Sequence, residues 1–259
     1  MNRVLRAYAA QARIAVRTSL SDRGNFALQA GGMLVNDGFM LVLWFMFFAG
    51  FRSVGGWRLN DFGLLIGLMM TIVGLAGVFF GGYRDMAATI LKGELDALLT
   101  QPKPLLPRLL ARESIANAWG DLLLGGVLLI GFAGLDPVRL PLALLALACG
   151  LTIYVAASVC FATLAFWIAG ARSFARDLTD FMLLFCTYPG SIFSGASKLI
   201  AYTVLPAGFV AMIPVSLVRA PSLKTAAIMI AAAAGYAALA ALLFAVGLRR
   251  YRRGNAPMG

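Results

Sequence analysis

Histidine is missing from these 259 residues altogether, and with it go the commonest general base and the commonest nitrogen ligand for a metal. Imidazole-based hydrolase and metalloenzyme schemes are excluded on that ground. Charge is scarce as well: only 13% of the residues are Asp, Glu, Lys or Arg, too few to clothe a soluble globule of this size. The three cysteines, Cys149, Cys160 and Cys186, lie inside apolar runs with no CxxC spacing, so they read as small core residues and not as a disulfide framework or a metal site. No GxxxxGK followed by Ser or Thr occurs, and "SGASK" at 194–198 has neither the glycine spacing nor the lysine–hydroxyl pair that cradles phosphates. No acid–base pair is clustered within the apolar runs. The expectation is therefore a chain that is not an enzyme, with no catalytic residue, no metal and no cofactor of its own.

What the sequence does have is oil. Hydrophobic residues make up 61% and the mean hydropathy is +0.86, which places the chain among polytopic membrane proteins. A helical crossing takes roughly 20 apolar residues. Runs fitting that requirement lie at about 31–51, 62–82, 118–135, 141–169, 178–193 and 226–248. The predicted fold is an all-α integral membrane protein, a single transmembrane domain over 1–259 with six spans.

Orientation follows from the basic residues. With the N-terminus in the cytoplasm, sixteen of the 22 Lys and Arg fall in cytoplasmic segments, as the positive-inside rule demands, and both termini are cytoplasmic. The net charge of +11 is thus explained by topology, with no nucleic-acid partner expected. Residues 1–24 have no signal-peptide h-region and read as an amphipathic helix lying in the headgroup layer. Arg3, Arg6, Arg13 and Arg17 share one sector, while Leu5, Tyr8, Ala12 and Val16 gather opposite. A solvated basic tail is the alternative.

The longest cytoplasmic excursion spans 83–117 and opens as a polar elbow. Asp85, Thr89, Lys92 and Asp96 step along one helical face, and Leu91, Leu95, Leu98 and Leu99 lie on another. Gly93 permits a bend and Pro102 ends the run. Here "GELDALLTQPKP" resembles the cytoplasmic motif of type-2 ATP-binding-cassette (ABC) export permeases, carried by Gly93, Glu94, Leu98, Leu99 and Pro102. "YPGSIFSGASKLIAYTVLPAGFVAMIPVSLV" at 188–218 is similar to the segment between the fifth and sixth spans of a bacterial subgroup of about this size.

The resemblance implies a permease subunit of the bacterial inner membrane that dimerises with itself or with a second permease and exports its substrate. It also implies two ATPase subunits bound through the elbow at 83–104, holding the ATP and magnesium. Asp85, Lys92, Gly93, Glu94, Leu95, Leu98, Leu99 and Pro102 are the expected coupling residues, with Glu94 and the three leucines making the docking contacts. A secondary transporter or channel acting without an ATPase is the alternative, and should show internal repeats and midplane charges; neither is evident.

The run at 195–218 adds a seventh apolar stretch. If it crossed fully, "RRYRR" at 249–253 would lie outside, so it is expected to enter and return. Pro189, Gly190, Gly195, Pro206, Gly208 and Pro214 supply the breaks, and Lys198 belongs near the outer surface. Asn36, Asp37 and Asp121 within spans, together with Tyr188, are candidates for the translocation path. A cation-attracting entrance is one role for the acids; pairing with Arg23, Arg112 or a helix-end amide is the other. "LWFMFF" at 43–48 suits either a substrate path or a lipid-facing belt. An amphiphilic drug, lipid or peptide fits as substrate, since a shallow apolar interface suits molecules that arrive from the membrane.

Overall fold

The structure, a computed structural model, describes residues 2–53, 56–100, 104–133 and 139–254. Among these there is no strand. The α-helices are α1 (Asn2–Ser19), α2 (Arg23–Gly50), α3 (Leu59–Phe80), α4 (Met86–Leu91), α5 (Leu95–Leu99), α6 (Leu105–Leu110), α7 (Ala118–Ala133), α8 (Arg139–Thr163), α9 (Ala171–Cys186), α10 (Gly195–Tyr202), α11 (Ile213–Arg219) and α12 (Leu223–Arg252). Four of them, α2, α3, α8 and α12, are long and apolar enough to cross a membrane.

The other two expected spans differ from these four. Helix α7 has 16 residues, about 24 Å at 1.5 Å per residue against a hydrocarbon core of about 30 Å. Helix α9 also has 16 residues and covers 171–186, not 178–193. Its first ten residues include Arg172, Arg176, Asp177 and Asp180, so it is amphipathic, and the apolar run beyond Cys186 breaks at Pro189 instead of continuing the helix.

Helix α3 is the axis of the bundle. From Phe62 to Ile72 every side chain is buried. It lies against α7 along a seam of glycines: a Cβ at Gly74 would stand 2.5 Å from the backbone nitrogen of Leu122, and one at Gly125 2.5 Å from that of Thr71. Only residues without a side chain allow two helix backbones so close, and in lipid such packing replaces the hydrophobic drive that water would supply. Helix α2 rests on the outer side of α7, and only Ala30 and Asp37 of its 28 residues are buried. On the other flank α8 packs against α12 and α3, with Phe166 wedged over Gly247 and 5.8 Å from Phe244.

The aromatic cluster on α2 divides between faces. Trp44 lies 4.2 Å from Phe62, and Phe48 5.6 Å, while Leu43 and Met46 point outward. Helix α1 turns Tyr8 and Ala12 onto the protein: the Tyr8 hydroxyl donates to the carbonyl of Phe79 at 2.8 Å, and Arg6, Arg13 and Arg17 face away.

Beyond α9 the chain turns at Gly190, runs through the exposed α10, and returns through a π-helical turn at Gly208–Met212 into α11. The returning arm is covered by protein. Pro206, Gly208 and Pro214 are buried, and Arg219 at its end lies 3.1 Å from Asp61 at the start of α3. The turn between the arms meets the middle of α12, where the Tyr236 hydroxyl donates to the carbonyl of Thr203 at 2.6 Å.

The seam gives a direct test. Gly74→Ala forces α3 and α7 apart and costs about 1–3 kcal/mol, as overpacking does. Gly126→Ala, one residue from Gly125 but with nothing within 4 Å of its Cβ, leaves stability unchanged or slightly raised. Thermal unfolding of the purified protein in detergent measures both, and equal melting temperatures would disprove the seam.

Candidate coupling elbow and its charged clefts

Every junction of the elbow is fixed by a specific contact. Helix α3 ends in a tight turn at Gly81–Tyr83, and Gly82 leaves room for the carbonyl of Leu109 on α6. The backbone N–H of Ile115 donates to the carbonyl of Gly77 at 3.0 Å, so the chain leaves and re-enters the bundle beside the same turn of α3. Gly93 separates α4 from α5 with φ at 73°, a left-handed conformation that favours glycine. The elbow is therefore not one helix from 85 to 96 but two short ones meeting at a bend, which turns Thr89 inward and leaves Lys92 and Asp96 exposed.

Arginines brace that bend. Arg112 donates to Glu94 at 3.2 Å and to Thr89 at 3.3 Å, one on each side of Gly93. Arg108 donates to the carbonyl of Leu98 at 2.9 Å, closing the open end of α5. Arg176 of α9 pairs with Asp85. Gln11 of α1 donates to the carbonyl of Arg108 at 3.1 Å. Tyr251, at the last turn of α12, reaches Asp96, and the hydroxyls of Tyr83 and Tyr154 meet at 3.1 Å in full burial. In the sequence Arg108 and Arg176 read as topological charge, and Arg112 as that or as a partner for the acids within the spans. The i, i+4 spacing of Arg108 and Arg112 beside an acidic bend was the signal available.

The expected coupling residues fall into two groups. Lys92, Glu94, Leu98 and Leu99 keep exposed surface at the tip. Leu95 does not: it is fully buried and packs in the core of the bundle, so it anchors the elbow and offers no surface for docking. Asp85 is engaged by Arg176, and Pro102 lies outside the described residues.

Two charged cavities flank the elbow and share Asp85 and Glu113. The larger, about 330 Å³, is bounded by Arg84, Arg176, Asp180 and Ser158. The smaller, about 200 Å³, is bounded by Lys92, Glu94, Arg112 and Arg172. Both signs of charge occur in each, and among the described residues no three His, Cys, Asp or Glu side chains gather to hold a metal. Partial burial, and then the neighbouring Asp85, raise the pKa of Glu113.

Of the candidate path residues, Asp37 and Asp121 are buried and face each other across the α2–α7 contact, with Asn36 donating to Asp37 at 3.4 Å. Of the partners expected for these acids, Arg112 is engaged elsewhere, with Glu94 and Thr89. Tyr188 stands apart from this pair, 6.3 Å from the Trp44 ring and two turns further along α2. Pro189 and Gly190 form the turn after α9, and Lys198 is exposed on α10.

Residues 34–254 match the family model described as ABC-2 family transporter protein. The chain matched no curated protein and no solved structure. A multi-pass helical bundle, an elbow between two of its helices and a family match over that length lead to one conclusion: the chain belongs to the ABC-2 transporter family and is a membrane permease component, not itself catalytic.

Proposed function

We propose that the chain is the permease of an ATP-driven exporter in a bacterial inner membrane, its elbow tip at 92–100 docking on a cytoplasmic ATPase subunit. The observation that carries this reading is the contrast between the two sides of the elbow. Its inner side is tied to α1, α6, α9 and α12, while Lys92, Asp96, Ala97 and Thr100 are exposed, with Leu98 and Leu99 half-exposed between them. A segment held from behind and open in front suits the transmission of a push. Two such permeases, identical or similar, would complete the complex with two ATPases, which hold the ATP and magnesium.

The proposed path lies between permeases and not through one. Side chains of α3 fill the centre of the bundle, whereas α2 offers a long uncovered face carrying Val35, Phe39, Val42 and Met46. An amphiphile arriving from the membrane fits that seam. Nucleotide binding would then shift the dimer between inward and outward populations.

We further read six spans, with α7 and α9 as the short third and fifth, α1 at the headgroup layer, and 195–218 as a re-entrant pair. The Tyr236–Thr203 contact and the Arg219–Asp61 contact support a turn at mid-depth and a return to the outer side. Breaks in such a pair are tolerated because protein covers the returning arm.

Two experiments test the reading. Leu98→Asp should reduce the ATPase that co-purifies with the permease more than tenfold, since it sets an unpaired charge against an apolar contact at about 2 kcal/mol or more, while insertion continues. Glu94→Ala should act mildly, because its partner Arg112 is about half exposed and such pairs contribute about 0–1 kcal/mol. Full ATPase retention and normal transport-coupled hydrolysis in Leu98→Asp would remove the docking assignment. For topology, Cys149, Cys160 and Cys186 are first replaced by alanine. New cysteines at Asn60 and Lys198 should then react with an impermeant reagent in intact cells, and one at Gly254 only after permeabilisation. Reaction at 254 in intact cells refutes the six-span reading.

A further inference from the structure

At the far end of α12 from its contact with Thr203 lies a shallow bowl of about 380 Å³, bounded by Trp167, Val246, Arg249, Arg250 and Arg253. Among the described residues none of these three arginines forms an ion pair. The arginines at the elbow differ in this respect, since Arg112 and Arg176 each hold a carboxylate. Among the described residues their only side-chain hydrogen bond is from Nε of Arg249 to the carbonyl of Ala245, at 3.4 Å. The electrostatics of such a positive bowl at the membrane boundary favour an anion.

The helix face leading to the bowl names the anion. At 100° per residue, Leu239, Leu242, Val246, Arg249, Arg250 and Arg253 fall within a sector of about 100°. Leu239, Leu242 and Val246 are 44%, 57% and 40% exposed. The stripe is apolar for two turns and then cationic for one. Trp167 stands beside the change, at the level where indole rings mark the boundary between hydrocarbon and headgroup. A free anion needs only the cationic end; a molecule with a long hydrocarbon tail and an anionic head uses the whole stripe.

We propose that this surface is a binding site for an anionic glycerophospholipid. Its phosphate lies against Arg249, Arg250 and Arg253, and one acyl chain runs along Val246, Leu242 and Leu239. Guanidinium groups suit the role because they meet phosphate oxygens with paired donors, and basic pockets at the ends of transmembrane helices attract such headgroups. The site needs the membrane but no direction of transport, so it stands or falls independently of the exporter reading.

The test uses the full chain, delipidated in detergent and titrated by native mass spectrometry with phosphatidylglycerol, phosphatidylcholine or inorganic phosphate. Phosphatidylglycerol should bind at least tenfold more tightly than phosphatidylcholine. The pair Arg250→Gln and Arg253→Gln should weaken phosphatidylglycerol at least tenfold, and Arg250→Gln alone about fivefold, following about 1 kcal/mol per basic residue near a membrane surface. Lys224→Gln, at the opposite end of α12 and likewise exposed, should leave binding unchanged. Leu242→Gln should weaken phosphatidylglycerol several-fold. Where the double variant fails to insert, Arg250→Gln alone decides, since it removes only one orienting charge. Equal binding of the two lipids, unchanged binding in Arg250→Gln, an equal loss in Lys224→Gln, or displacement of the lipid by millimolar phosphate would each overturn the proposal.

Discussion

The close approach of α3 and α7 is the constraint from which the rest of this molecule follows. Between helices in lipid there is no hydrophobic penalty to relieve, so contact must come from packing at short range, and Gly67, Gly74 and Gly125 supply it by having nothing to interpose. The same seam continues past the end of α3. Gly77 lies under Ala118, Gly81 against the carbonyl of Glu113, and Gly82 against that of Leu109. The two ends of the elbow are thereby held on one turn of α3. A loop fixed at both ends and tied along its inner side resists folding away, which is what the proposed docking role asks of it.

Much of this architecture was legible in the amino-acid sequence, for a physical reason that also marks where legibility ends. Bilayer thickness sets the length of a span, so the runs at 62–82 and 226–248 appear as α3 and α12. Gly93, followed by an acidic residue and a leucine pair, announces a bend because backbone conformation is a local property. Leu95 was misjudged because its burial depends on which side of α5 faces the core, and leucines at 95, 98 and 99 look alike until the bend at Gly93 is placed. The contact between Asp37 and Asp121 joins residues 84 positions apart, and no local pattern encodes which face of α2 meets α7. Helix α9 was displaced because its polar first half, which faces the charged cleft, breaks the rule that spans are apolar throughout.

The arginines separate into kinds that composition alone merges. All enter the charge count from which the orientation is expected. Arg108, Arg112 and Arg176 are also structural, since each holds a carbonyl or a carboxylate across a junction of the elbow. The pairs at Glu94 and Asp85 are about half exposed, where a salt bridge contributes little to stability. Their worth lies in geometry: they set the angle between short helices that have too few residues to hold one by themselves.

Under the proposed docking role the elbow moves, and that weakness suits it. If the elbow were joined to the bundle by apolar packing alone, repacking it would expose core at a cost of several kcal/mol, and the shape would be locked. Exchanging one exposed ion pair for another costs far less. Among the described residues Glu113, Asp180 and Arg172 line the two cavities without a salt bridge of their own, which puts other charged partners beside the elbow. Rigid anchoring at Leu95 and along the glycine seam, with exchangeable pairing around Gly93, is the combination that the proposed docking role requires if a push at the tip is to become a tilt of the helices behind it.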